Sequence, residues 1–133
     1  MNVLVDTSIW SLALRRNKKQ PNNEKIKKQL QELIEECRAK IIGPIRQELL
    51  SGISSVSAYI LLQQHLQAFE DIAIDTKDYE KAAEMYNLCR KEGIQGSQVD
   101  FLICAVAERH HLSIFTFDND FERYSKCLPI ILF

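Results

Sequence analysis

No apolar stretch in this chain approaches the roughly 18 to 20 residues that a membrane span requires. Met1-Asn2 runs directly into a strand-like pattern, without the charged and apolar regions of a secretion signal. The expectation is a cytosolic protein with no membrane role. A C-x-x-C pair is lacking too. Cys37, Cys89, Cys104 and Cys127 lie far apart, inside apolar helical patterns or near the C-terminus, and read as buried, reduced, structural thiols rather than zinc ligands or disulfides. Nor is there an excess of one charge. Seventeen Lys and Arg against 18 Asp and Glu, a net charge of −1 and a pI near 6.3 exclude a protein that holds nucleic acid mainly by bulk electrostatics. Local basic clusters remain, at Arg15, Arg16, Lys18 and Lys19 and again at Lys25, Lys27 and Lys28, and their plain reading is a solvated loop and helix face.

Repeats, low-complexity tracts and linkers are absent as well. With 133 residues, 46% hydrophobic and 26% charged, the chain fits one domain, 1–133, around one core. Short apolar runs alternate with helical spacing, the pattern of a doubly wound α/β fold. Strands are expected at 3–6, 40–42, 72–74, 113–116 and 130–132, giving a mostly parallel sheet of about five. Helices are expected at 9–14, after Asn22 or Asn23 as cap, from Pro44 to the terminator Gly52, at 56–68, at 76–91 closed by Gly93, and at 99–108 capped by Ser97, with a short helical turn from Phe121.

Four acids, Asp6, Glu48, Asp100 and Asp118, fall where an expected strand ends or an expected helix begins, so one α/β fold could gather them at a single sheet edge. Asp6 closes Val3-Leu4-Val5, and Asp118 closes Ile114-Phe115-Thr116-Phe117. Asp100 begins the helix whose residues Phe101 to Ala107 are apolar all round, and shares a face with Ile103, Cys104 and Ala107. Glu48 is spaced with Ile45, Leu49 and Gly52 and is expected on the inner face of its helix. An unpartnered buried carboxylate is costly, and Arg46, two positions away, faces elsewhere. Ligands of open α/β sheets bind outside the carboxyl ends of the strands, so these acids can meet around one cation. Oxygen donors without a nearby histidine select Mg²⁺ or Mn²⁺ over zinc. His65 is isolated in a helix, and His110 and His111 end one, where a cation suits the dipole.

Singly, each acid has a plainer reading. Asp6 could cap the first helix, Asp100 could be the third residue of a capping box opened by Ser97, Asp118 a turn residue, and Glu48 a solvated helix position. Four such acids at sheet-edge positions make a metal site the stronger joint explanation.

The opening Val-Leu-Val-Asp-Thr-Ser-Ile-Trp, the helix acid in Arg46-Gln47-Glu48-Leu49-Leu50, the Asp100-x-x-Ile-x-Ala-x-Ala helix and the ending Thr116-Phe117-Asp118-Asn119-Asp120-Phe121 together resemble a PIN domain of the VapC toxin type, over the whole chain. The resemblance implies a three-layer α/β/α fold, Mg²⁺- or Mn²⁺-dependent endoribonuclease activity, a homodimer, and inhibition by a small VapB-like antitoxin in a hetero-oligomer. It carries Asp6, Glu48, Asp100 and Asp118 over as metal-site and catalytic acids. Asp120 matches a further acid, and Thr7, Ser8 and Thr116 match hydroxyl positions that orient ligands.

The expected chemistry is in-line hydrolysis of an RNA phosphodiester, in a tRNA or rRNA, by water activated at a metal held by Asp6, Asp100 and Asp118, with Glu48 bound directly or through water. Arg15, Arg16 and Arg46 are candidates for contacts to the RNA backbone. Other readings are a Mg²⁺-dependent phosphatase, a PIN-like nuclease without a toxin role, and a non-catalytic interaction module. The first lacks an Asp-x-Asp loop after the opening strand, where the sequence is Asp6-Thr7-Ser8.

Overall fold

Val3–Val5 and Ser113–Phe115 are short and buried on both faces, as apolar strands must be when helices cover a parallel sheet. They are β1 and β3, the inner strands. The computed structural model describes residues 1–14 and 21–133. Along the chain the elements are β1 (Val3–Val5), α1 (Thr7–Leu14), α2 (Pro21–Glu35), β2 (Ala39–Lys40), α3 (Gly43–Leu50), α4 (Val56–Leu66), α5 (Thr76–Lys91), α6 (Gln98–Arg109), β3 (Ser113–Phe115), α7 (Asp120–Tyr124) and β4 (Ile131–Leu132). The sheet is parallel throughout in the order β2-β1-β3-β4 and is flanked by helices. Among the described residues no helix is long and apolar enough to cross a membrane.

Among the described residues the sheet has four strands where about five were expected. The expected strand at 72–74 makes one parallel bridge, Ile41 to Asp71, with the Ile72 amide donating to the Ile41 carbonyl at 3.0 Å. Its neighbour runs out. Ile42 already caps α3, and Pro44 lies in the first turn with no amide to donate, so the chain leaves the sheet before a ladder can grow. Asn22 and Asn23 also depart from expectation, since both lie within α2 instead of before it.

The strand register sets the geometry of the sheet edge. Val3 pairs with Ser113 and Val5 with Phe115, so β1 and β3 end level with each other. The Asp6 amide then donates to the Phe115 carbonyl at 2.9 Å, while its own carbonyl receives the amides of Ile9 and Trp10 at the start of α1. From β1 the chain passes to β2 on one side and later returns to β3 on the other. The gap between β1 and β3 is therefore the switch point where such sheets bind ligands.

Burial follows the periodicities. Phe101 to Ala107 are all buried, matching a helix that is apolar all round. Trp10 fills the space under α1, its indole nitrogen donating to the Val5 carbonyl at 3.0 Å and its ring meeting Phe69 edge-on at 4.9 Å. Each fully buried Val, Leu, Ile or Phe among them contributes about 1.5–3 kcal/mol by leaving water. Asp78 in α5 is buried. Arg109 of α6 grips both its oxygens at 2.6 and 2.7 Å, and the resulting clamp holds α5 on α6.

Among the described residues three helices end on the same left-handed turn. Gly93 (φ 75°), Cys37 (φ 59°) and His111 (φ 55°) each follow a helix, and the amide after each reaches back to the carbonyl five residues earlier, at 2.9, 2.8 and 2.8 Å. Only one is a glycine. Cys37 is exposed there, which corrects its reading as a buried thiol, whereas Cys89 and Cys104 are buried and all four cysteines are free.

Candidate metal centre

Above the carboxyl ends of β1 and β3 lies a cleft of about 650 Å³, lined by Asp6, Thr7, Ser8, Glu48, Asp100 and Asp118 among others. All four acids singled out from the sequence line it. Asp6 is supplied by the end of β1, Glu48 by α3, Asp100 by the first turn of α6 and Asp118 by the loop after β3.

Asp6 is the most buried of the four, at 8% exposure. Its Oδ2 accepts the hydroxyls of Ser8 at 3.0 Å and Thr116 at 2.8 Å. These hydroxyls bond outward in turn: Ser8 Oγ accepts the Phe117 amide at 3.0 Å and Thr116 Oγ1 the Asp118 amide at 2.9 Å. A serine and a threonine thus tie the acid at the end of β1 to the loop that carries Asp118.

Glu48 differs from expectation. It is exposed in the cleft, not buried on an inner face, and its Oε2 accepts the Thr7 hydroxyl at 3.1 Å. Asp100 is half-buried, and its amide donates to Ser97 Oγ at 3.1 Å, forming the expected helix cap. Its carboxylate is used differently, accepting the Tyr124 hydroxyl at 2.7 Å. The Asp100 carboxyl is pushed above its ordinary value first by burial, with the charges of Asp118 and Asp6 adding to that, against hydrogen bonds from Tyr124 and Ser97. The Tyr124 phenol is driven up by its own burial and by the hydrogen bond to Asp100.

Among the described residues Asp100, Asp118 and Asp120 form a close group, each offering a carboxylate oxygen within 4.8 Å of the others. Asp120, which the sequence offers as a further acid two residues after Asp118, belongs to this triad, while Asp6 and Glu48 line the same cleft outside it. Asp118 is at once a turn residue and a cleft acid: its Oδ1 accepts the Asp120 amide at 2.9 Å. Oxygen donors held this close, two of them half-buried, suit a hard divalent cation.

The basic candidates fare differently. Arg46 turns away from the cleft: its guanidinium bonds Asp71 at 3.0 Å and the carbonyls of Leu66 and Phe69 at 2.8 and 2.5 Å, stitching α3 to the end of α4 and the segment after it. That structural use stands against its reading as an RNA contact. Arg15 and Arg16 lie outside the described residues. Tyr124 was missed in the sequence. Its pairing with Phe121 at helical spacing marks an inward face, but nothing local shows that its hydroxyl reaches Asp100.

A parallel α/β domain with an acid-lined cleft at its switch point is the class that fold and site define. The chain belongs to the PIN domain family, whose pattern matches residues 3–126. The fold is shared with the FitAcB crystal structure from Neisseria gonorrhoeae, at a TM-score of 0.79 and 20% identity over 98% of this chain and 96% of that one. It is shared also with VapBC2 from Rickettsia felis bound to a DNA fragment from their promoter, at 0.74 and 22% over 100% and 98%. A toxin–antitoxin complex from Klebsiella pneumoniae matches at 0.64 and 20% over 89% and 88%. No curated protein matches the sequence.

Proposed function

We propose that this PIN domain is a Mg²⁺- or Mn²⁺-dependent endoribonuclease that acts in the cytoplasm as the toxin of a type II toxin–antitoxin pair. The observation that carries the reading is the convergence of Asp6, Glu48, Asp100 and Asp118 on one cleft, with Asp120 beside Asp100 and Asp118. Asp100, Asp118 and Asp120 would hold the cation, with Asp6 and Glu48 completing the acid ring. A bound divalent ion supplies Lewis acidity there, lowering the pKa of water and offsetting phosphate charge. The chain's own part is placement. Ser8 and Thr116 fix Asp6, Thr7 holds Glu48, and the Asp118 turn presents Asp120. An RNA backbone laid across the cleft would otherwise be repelled by these carboxylates, which makes the activity depend on the ion.

The toxin role is supported by the structures that share the fold, since the Klebsiella pneumoniae one is a toxin–antitoxin complex and the Rickettsia felis one is VapBC2 on promoter DNA. A homodimer and a small VapB-like antitoxin follow from that reading, the antitoxin offering an Arg or Lys to the negative cleft. The deciding experiment incubates purified, antitoxin-free protein with total RNA and Mn²⁺ or Mg²⁺ and maps cut ends by sequencing. Discrete cuts in a tRNA or rRNA are expected from the wild type. Asp100→Asn keeps the shape that Tyr124 bonds and removes the charge, and should lower cleavage by orders of magnitude, about 1.4 kcal/mol of barrier for each tenfold. More than about a tenth of wild-type cleavage in that variant would sink the site assignment.

A further inference from the structure

The Asp100 carboxylate is held from behind. Tyr124 of α7 is wholly buried and donates its hydroxyl to Asp100 Oδ2 at 2.7 Å, within the range of a charge-assisted bond. Its ring is packed against Phe101 at 4.9 Å and, edge-on, against Phe121 at 5.2 Å, so the phenol cannot swing off the carboxylate. Gly96, in the loop before α6, lies against the hydroxyl end of the ring. A Cβ built there would collide with the hydroxyl and stand 2.7 Å from Cζ and 2.8 Å from Cε1, closer than real contacts come.

We infer that Tyr124 is a positioning residue for the metal centre, locking the plane of the Asp100 carboxylate toward the cleft, and that Gly96 is bare because any side chain would displace that hydroxyl. The inference rests on the metal-centre reading above. A carboxylate turns easily about its last bond, whose torsional preference is broad. Fixing one oxygen sets where the other points before a cation arrives. Groups behind a metal ligand ordinarily change metal affinity by about 10–100-fold when removed. A tyrosine that merely filled the core would leave that affinity alone.

The test is Mn²⁺ titration, by calorimetry, into the purified full chain as wild type and Tyr124→Phe, with metal-free melts of both in EDTA. The expected result is a dissociation constant weaker by about tenfold or more in Tyr124→Phe, while the metal-free melting temperature stays within a few degrees, since one oxygen is removed and both ring contacts stay. Gly96→Ala should weaken binding in the same direction. A Tyr124→Phe constant within about twofold of wild type overturns the inference and leaves the metal centre standing. Should neither variant fold, the Cζ resonance of Tyr124 in wild-type protein is followed by NMR during Mg²⁺ titration. Movement with the same midpoint as the Asp100 carboxyl carbon supports the inference, and a stationary signal overturns it. Absence of any Mn²⁺ binding to the wild type would overturn the metal centre and this inference together.

Discussion

The Thr116 hydroxyl, one residue past β3, donates to Asp6 Oδ2, one residue past β1, at 2.8 Å across 110 residues of chain. It also receives the Asp118 amide, so one side chain fixes an acid on one strand and the loop carrying the next acid on its neighbour. Thr116→Val removes both bonds at nearly constant volume. Denaturant unfolding should show a loss of about 1.5 kcal/mol, the scale of a hydrogen bond to a charged group, together with reduced RNA cleavage. Thr116→Ser should restore both. If Val is tolerated without loss of either, the hydroxyl relay is incidental.

Metal and stability should be coupled. Carboxylates gathered without a cation repel, and a ligand that binds only the folded state adds about 2.7 kcal/mol at a hundredfold excess over its dissociation constant. For a domain of this size that is a rise in melting temperature of roughly 10 °C between EDTA and saturating Mn²⁺. Asp118→Asn keeps an oxygen for the Asp120 amide, and should melt slightly higher without metal and show no metal-induced rise. Superimposable wild-type melts in the two buffers would refute the metal centre.

The left-handed turn at Cys37 carries a strain that glycine would relieve. Non-glycine residues in that conformation lose about 1–2 kcal/mol, and glycine recovers part of it after its greater freedom in the unfolded chain is counted. Cys37→Gly should therefore raise stability by about 0.5–1 kcal/mol by urea titration. Cys37→Ala, which keeps the strain, should not.

Asp78 sets one limb of the acid response. Its bonds to Arg109 hold its carboxyl below the ordinary value near 3.8, outweighing the burial that pushes it up. An acid whose folded value is depressed contributes its full stability above the unfolded value, and that contribution is lost as pH falls below about 3.8 through the lower folded one. Asp78→Asn should be less stable than wild type at pH 7 and lose less on passing from pH 4 to pH 2. Parallel acid limbs in thermal melts of the two proteins would exclude the clamp as a source.

Much of this was legible in the sequence because it is local. The apolar run at 3–5, the all-round apolar 101–107, the Ser97 cap and the Gly93 stop each depend on neighbours a few residues away, and they placed Asp6, Asp100 and Asp118 at element ends. What the tertiary structure decided depends on distance across the fold. The 72–74 strand needed a partner that leaves the sheet at Ile42, Glu48 is exposed and met by the Thr7 hydroxyl from 41 residues away along the chain, and Asp120 comes within 4.8 Å of Asp100 only in the folded chain. Arg46 was assigned by carbonyls at Leu66 and Phe69 that no spacing could point to. Tyr124 reached Asp100 for the same reason: a hydrogen bond has a fixed length in space, whatever the separation along the chain.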